Sequence, residues 1–439
     1  MIRTYFMLIS LFLCCLCALA QTSPWMVVPN SPLAIDRWDA MEFVHPDTGW
    51  IAGTKSGAYR TYDGGGTWHE LTSAYTDIND RPYFRSMSWA SAKVGWLGVL
   101  GGPNQILHTV DGGNTWTRYP LPAETKAKGI CGIDAVNEQH AYFVGPFMAE
   151  VYGVPHVTST HDGGQSYVTT DMSAHVSTLV DVHFQSIQHG IVGGGKNGSV
   201  GSGYAVVLLT QDSGRTWQTV YQSASQGTQL WKFSESADGT IAGAIQSFRS
   251  AAPYVIYSAD NGRTWTESPI TVVPDSTLRG LQSVGVISKD VGWVAGRGFS
   301  SWSTTNGGTV WKKDTSNLNS VNRFQFFGDT LGYASGNRVW KYRPTTTTSA
   351  DPTTTTQNGS QHESLSITNA GGGHLTVHLA EYFTVRSITL YDVQGREIPI
   401  RSQQQAEGIF NINYSAAKGP AIVVVCTTID CLSAMTMLR

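Results

Sequence analysis

Six copies of an octapeptide of the form Ser/Thr-x-Asp-x-Gly-x-Thr-Trp, or a close variant, recur at near-constant spacing along this 439-residue chain. They occupy 61–68, 109–116, 160–167, 210–217, 258–265 and 304–311, and their Asp or Asn position (Asp63, Asp111, Asp162, Asp212, Asp260, Asn306) advances by 48, 51, 50, 48 and 46 residues. A repeat of that length is one supersecondary unit that cannot bury its apolar face alone and must stack on its neighbours. A second marker, Gly or Ala, usually an apolar residue, two more and then Gly, appears seven times, at 49–53, 95–98, 141–145, 190–194, 239–243, 292–296 and 332–336. Runs such as Asp181-Val182-His183-Phe184 alternate with the period of two of a half-buried strand. Each unit therefore reads as four short strands, and the chain as all-β.

The octapeptide has a local explanation that owes nothing to catalysis. An Asp or Asn side chain accepts hydrogen bonds from backbone N–H groups just ahead of it, Gly supplies the left-handed conformation of a tight turn, and Trp covers the apolar side. The pattern resembles the Asp-box of sialidase-type β-propellers, and in its Gly-Trp-x-x-Gly and Asp-Gly-Gly-x-Thr-Trp phrasing the photosystem II assembly factor-like branch. The resemblance implies a seven-bladed β-propeller over 21–343, with a structural role for all six box residues, away from the binding face. The last unit, 322–342, supplies three strands only, while Pro24-Trp25-Met26-Val27-Val28 looks like a fourth strand without a blade before it. Pairing these two ends closes the ring and removes an exposed sheet edge.

Residues 1–20 read as a signal peptide: Arg3, an apolar stretch from Met7 to Leu19, and Ala18-Leu19-Ala20 ahead of Gln21. The mature chain is then expected to be exported, monomeric and without a transmembrane segment. A formal charge of −3 with 14% charged residues and no basic run gives no footprint for nucleic acid. Of the cysteines beyond the leader, Cys131 reads as a small buried residue on an inner strand, and Cys426 and Cys431 flank a hairpin where a disulfide is expected in an oxidising compartment. No Cys/His spacing suggests zinc, and no metal or cofactor is expected.

From Arg343 the composition turns to Thr and Pro, a linker over 344–362 that cannot bury a core. Residues 363–439 follow as a small β-sandwich. Tyr391-Asp392-x-x-Gly395-Arg396, the flanking strands and the terminal Met437-Leu438-Arg439 resemble the C-terminal sorting domain of the type IX (Por) secretion system, which implies delivery to the cell surface or medium and a contact with that machinery.

Candidate ligand residues are sought where inner strands begin. Aligning those strands on the second marker puts Asp39, Arg85, Cys131, Val180, Gln229, Gln282 and Asn322 in one ring, with Arg279 and Arg323 nearby; Asp39, Arg85, Gln229, Arg279, Gln282, Asn322 and Arg323 are the binding candidates. Sialidase chemistry requires three arginines converging on a carboxylate, a Tyr–Glu nucleophile pair and an Asp acid/base, and the Arg-Ile-Pro tripeptide of that family is absent. Asp39, Asp77, Asp80 and Asp134 are the carboxylates open to a two-carboxylate glycosidase, and the histidines between His140 and His189 match no metal spacing. The expectation is a protein- or glycan-binding module, with a sialidase-like glycoside hydrolase as the alternative. The insertions 146–157 and 196–204 are expected to project from the binding face, because loops on a rigid scaffold carry recognition.

Overall fold

The computed structural model describes residues 24–75, 82–249, 252–270, 280–297, 301–314, 316 and 318–344, and in the C-terminal part 365–371, 374–379, 385–392, 397–406, 409–414, 419–427 and 431–438. The expected signal peptide, most of the expected linker, Asp77, Asp80, Arg279, Gly395 and Arg396 lie outside the described residues. The chain divides into two compact units, Met1–Thr346 and Thr347–Arg439.

In the first unit the described strands form seven four-stranded antiparallel sheets. Their inner strands are Trp38–His45, Phe84–Trp89, Gly132–Ala135, Thr178–Phe184, Thr228–Glu235, Leu281–Val286 and Arg323–Phe327. Each inner strand touches the inner strand of the next sheet, and the seventh touches the first, so the sheets are blades around one axis. In the seventh blade the strand Trp25–Val27 pairs with Val339–Tyr342, Trp25 opposite Tyr342. Trp25 is 3% exposed and its ring lies 5.2–5.8 Å from those of Trp293, Phe324, Phe326 and Tyr342.

The Gly-aromatic marker fits blades to each other. The first Gly of a marker faces an inner-strand aromatic, and a Cβ at Gly49, Gly95, Gly190 or Gly332 would stand 2.2–2.5 Å from the ring of Phe43, Trp89, Phe184 or Phe326. The aromatic after that Gly or Ala then stacks on the inner-strand ring of the following blade. Trp50 lies on Trp89 at 3.7 Å, Tyr142 on Phe184 at 3.6 Å and Tyr333 on Phe43 at 3.7 Å between ring centroids. Stacked aromatics add about 0.5–1.5 kcal/mol beyond their buried area.

The Asp-boxes close the third-to-fourth strand turns. In the first, Asp63 Oδ1 accepts from Thr67 N and Thr61 Oγ1 (both 2.8 Å), and Oδ2 accepts from Thr67 Oγ1 (2.8 Å). Trp68 Nε1 donates to Gly65 O (3.1 Å), and Gly65 has φ +95°, which only Gly adopts without strain. Asp111, Asp212 and Asp260 repeat the set. Asp162 does so with Ser166, and Asn306 keeps the bonds from Val310 N and Thr304 Oγ1. Hydrogen bonds from Ser166 and Thr216 hold Asp162 and Asp212 down at about 2. A box amide also binds the first turn of its own blade: Gly64 N to Asp47 O, Gly112 N to Lys93 O, Gly307 N to Asp290 O, at 2.8–3.0 Å.

The second unit contains two four-stranded antiparallel sheets, one of Leu365–Gly371, His374–Leu379, Ile409–Tyr414 and Ile400–Ala406, the other of Glu397–Ile398, Val385–Asp392, Gly419–Thr427 and Cys431–Leu438. Leu375, Val377 and Ile412 of one and Leu390 and Ile398 of the other are buried. Backbone register sets Cys426 opposite Cys431.

Candidate functional site around the ring axis

Consecutive strands in a blade are antiparallel, so the first and third turns emerge at one end of the axis and the remaining connections at the other. Inner strands begin at that second end, and the charged residues they carry there are inside the protein. Asp39 is 1% exposed and accepts from Arg37 Nε (2.7 Å), Arg85 Nη1, Thr54 Oγ1 (3.0 Å) and Asn322 Nδ2 (3.3 Å). Arg37 Nη1 also donates to Gln282 Oε1 (2.6 Å). Burial by itself would push the Asp39 carboxyl up, but Arg85 and Arg37 outweigh it and hold it below the ordinary value.

Six of the seven binding candidates from the sequence therefore have definite places. Asp39, Arg85, Gln282 and Asn322 meet in one network together with Arg37, while Gln229 is buried on the fifth blade and accepts from Thr178 Oγ1 (3.3 Å). Arg323 turns away from them and grips Asp181 with both terminal nitrogens (2.7 and 3.2 Å). Lys232 Nζ stands 3.4 Å from the same carboxylate, brought down to about 7 by burial and by Arg323. Cys131 is buried, its thiol pushed up to about 11, and its sulfur accepts from Phe147 N at 3.3 Å. Phe147, from the insertion after the second strand of blade three, lies 5.7 Å from the Arg85 guanidinium and 6.0 Å from the Trp231 ring.

The turn end is different. Here a cavity of about 530 Å³ opens on the axis, with all seven inner strands contributing to its wall, among them Glu42, Ser88, Asp134, His183, Glu235, Val286 and Arg323. Several of these polar residues clamp one blade to the next. Phe43 N donates to Gln325 Oε1 (2.8 Å), Trp89 N to Glu42 Oε2 (3.1 Å), Ala135 N to Ser88 Oγ (3.0 Å), Phe184 N to Asp134 Oδ2 (2.5 Å) and Val286 N to Ser234 Oγ (3.2 Å). Between blades four and five Phe233 N donates to Asp181 Oδ2 (2.8 Å).

His183 on blade four reaches both of its neighbours, with Nε2 2.5 Å from Glu235 Oε2 and Nδ1 3.5 Å from Asp134 Oδ2. Burial would lower its pKa, but these two carboxylates outweigh burial and raise it to about 10. Glu42 moves the opposite way from an ordinary carboxyl, up to about 8, through burial and then the neighbouring Asp134. Asp134 was visible in the sequence as one of the carboxylates open to a glycosidase, whereas His183 stood only among histidines that matched no metal spacing. Glu42, Glu235, Asp181 and Lys232 were not visible as candidates. Glu42, Ser88, Asp134, His183 and Gln325 each sit seven residues ahead of their marker, an offset that identifies them once the marker is aligned.

Among the described residues no group of three or more His, Cys, Asp or Glu is arranged to hold a metal, and no helix is long and apolar enough to cross a membrane.

Residues 18–147 match the family model described as photosynthesis system II assembly factor YCF48. The chain is similar to the YCF48-like β-propellers. It is 27% identical over 386 residues to the photosystem II stability/assembly factor HCF136, chloroplastic, of Oryza sativa subsp. japonica, covering 73% of this chain and 86% of that protein. The solved structure "YCF48 bound to D1 peptide" covers 73% of this chain and 97% of its own, at 20% identity and a TM-score of 0.52. A glycoside hydrolase family 74 xyloglucanase from Xanthomonas campestris aligns with a TM-score of 0.53 at 13% identity, over 73% of this chain and 53% of that one. At these identities the two structures show a shared propeller fold.

Proposed function

We propose that this chain is an exported β-propeller that binds a polypeptide partner. The observation that carries this reading is the axial cavity at the turn end, a recess of about 530 Å³ in a ring whose polar wall groups are held by inter-blade bonds, within the roughly 300–1,000 Å³ of preformed ligand sites. Similarity to assembly factors, and to a YCF48 propeller solved with a peptide, supports a protein ligand over a glycan. Against hydrolysis stands the state of the described axial arginines: Arg37 and Arg85 are committed to Asp39, and Arg323 to Asp181, so none is free to receive a substrate carboxylate. The leader and the sorting-domain resemblance support export through the type IX system.

The test is capture in the native host by a benzoylphenylalanine photo-crosslinker placed at Ala237 on the cavity rim. A polypeptide adduct that a crosslinker at exposed Val168, on an outer strand, does not form is the expected result. Capture of glycan alone, or turnover of a glycosidase substrate panel, overturns the reading. For export, a chain ending at Tyr342 should be retained in the periplasm, and normal surface delivery of that truncation would remove the sorting role from 363–439.

A further inference from the structure

We propose that the turn-end axial cavity receives a basic side chain, lysine or arginine, of the polypeptide that the propeller binds. This rests on the protein-binding reading and adds the chemistry of the bound segment. The cavity is too large for a lone ion and of the size that takes an organic group. Four carboxyl groups line it against two cationic side chains, His183 and Arg323; Glu42, raised to about 8, is largely protonated at neutral pH, which leaves Asp134, Asp181 and Glu235 as the charged ones. Asp181 is already matched, gripped by Arg323 with Lys232 behind it. His183 is shared between Asp134 and Glu235, each through its Oδ2 or Oε2 oxygen. Their other oxygens, Asp134 Oδ1 and Glu235 Oε1, accept no hydrogen bond from the described residues, and both side chains keep 22–28% of their surface exposed. The wall therefore presents unmatched acceptors where two carboxylates, Asp134 and Glu235, share the single cation His183, while Phe233, Phe324 and Phe326 supply aromatic and apolar surface of the kind an alkylammonium or guanidinium stem packs against. An anion would face the same carboxylates, and a neutral side chain, even one that donates a hydrogen bond, would leave their charge uncompensated.

The experiment uses the full chain and fluorescein-labelled 15-residue Gly/Ser peptides carrying one central Lys, Arg, Gln or Glu, read by anisotropy, with n-butylammonium as a competing free amine. The Lys and Arg peptides should bind at least tenfold more tightly than the Gln peptide, and the Glu peptide most weakly. Asp134→Asn with Glu235→Gln should erase that order, and Glu124→Gln, on an exposed turn outside the cavity, should leave it intact. If the double variant fails to fold, Glu235→Gln alone should reduce the preference at least threefold. Equal binding of Lys and Gln peptides, or a preference that survives the double variant, overturns the inference while leaving protein binding in place. Binding of n-butylammonium with no gain for the Lys peptide also overturns it, in favour of a small amine. Failure of all peptides together with failure of the crosslinker to trap any polypeptide removes the protein-binding reading itself.

Discussion

The two ends of the ring axis both hold charged side chains and use them differently. Where inner strands begin, Asp39, Arg37, Arg85, Gln282 and Asn322 are joined in one hydrogen-bonded network, and Asp39 and Arg85 are at most 2% exposed. At the turn end, Glu235, His183 and Asp134 line an open cavity, partly exposed, with acceptor oxygens left over. A buried network whose charges are paired with one another is closed to a ligand by its burial, although Arg85 Nε and Asn322 Oδ1 lack a hydrogen-bond partner among the described residues, and removing one member leaves uncompensated charge. A half-solvated, unbalanced one contributes little to stability and retains its capacity to bind. Arginine at a propeller's centre is thus not by itself a sign of a substrate site.

The largest effect that tests this contrast is Asp39→Ala. Two buried guanidiniums would lose their shared acceptor, and stability should fall by about 3–5 kcal/mol. Glu235→Gln at the other end should change it by less than about 1 kcal/mol. Both are read from urea midpoints at constant slope, and equal losses would mean that the turn-end charges are scaffold too. Next in size is Trp25→Ala, which touches neither end and removes the ring that four aromatics enclose in the closing blade. It should cost about 3 kcal/mol, and an unchanged midpoint would show that the closing strand is dispensable.

The blades and their boxes were legible because Asp, Gly and Trp recur with a fixed period and each has a local reason to be there. Ring closure was legible from the lone strand containing Trp25. The marker itself was visible, but not its cause: that Gly49 clears space for Phe43, or that Trp50 stacks on Trp89, depends on contacts across strands and blades. The axial site was less legible still. In five blades the position seven residues ahead of the marker holds Glu42, Ser88, Asp134, His183 or Gln325, five different residue types united only by that offset, and the clamps Ser234 and Asp181 fall outside it. The pairing of Arg323 with Asp181 joins residues 142 apart in sequence, which no local pattern encodes. Arg85 and Asp39 were found together by alignment, but that they are buried and consumed by each other follows only from the packed ring.

A smaller effect separates the boxes from the cavity although both lie at the turn end. Asp111→Ala removes the acceptor for Thr115 N, Thr115 Oγ1 and Thr109 Oγ1 and should cost about 1–2 kcal/mol. Asp212→Ala should behave alike. Peptide affinity in the anisotropy assay should stay within twofold for both, and a tenfold loss with unchanged stability would move the binding surface from the cavity onto the turns.

The smallest effect concerns His183 and sharpens the contrast by pH. Its pKa rises from 6.5 unfolded to about 10 folded because Asp134 and Glu235 face it, with Glu42 and Arg323 lining the same cavity from blades one and seven. A base whose folded pKa is raised binds its proton more tightly in the native state, so its stabilisation is complete below pH 6.5 and is lost as pH climbs towards 10. Lys232, lowered to about 7, works in the opposite direction over part of that range, so the informative quantity is wild type minus His183→Gln, in which Lys232 is common to both. That difference should favour wild type by about 1 kcal/mol at pH 6, a modest figure because the imidazole is a quarter exposed and partly screened, and it should shrink towards zero by pH 10. A difference that grows with pH would mean that His183 is neutral in the folded ring, and a flat one that Asp134 and Glu235 are balanced by groups other than the imidazole.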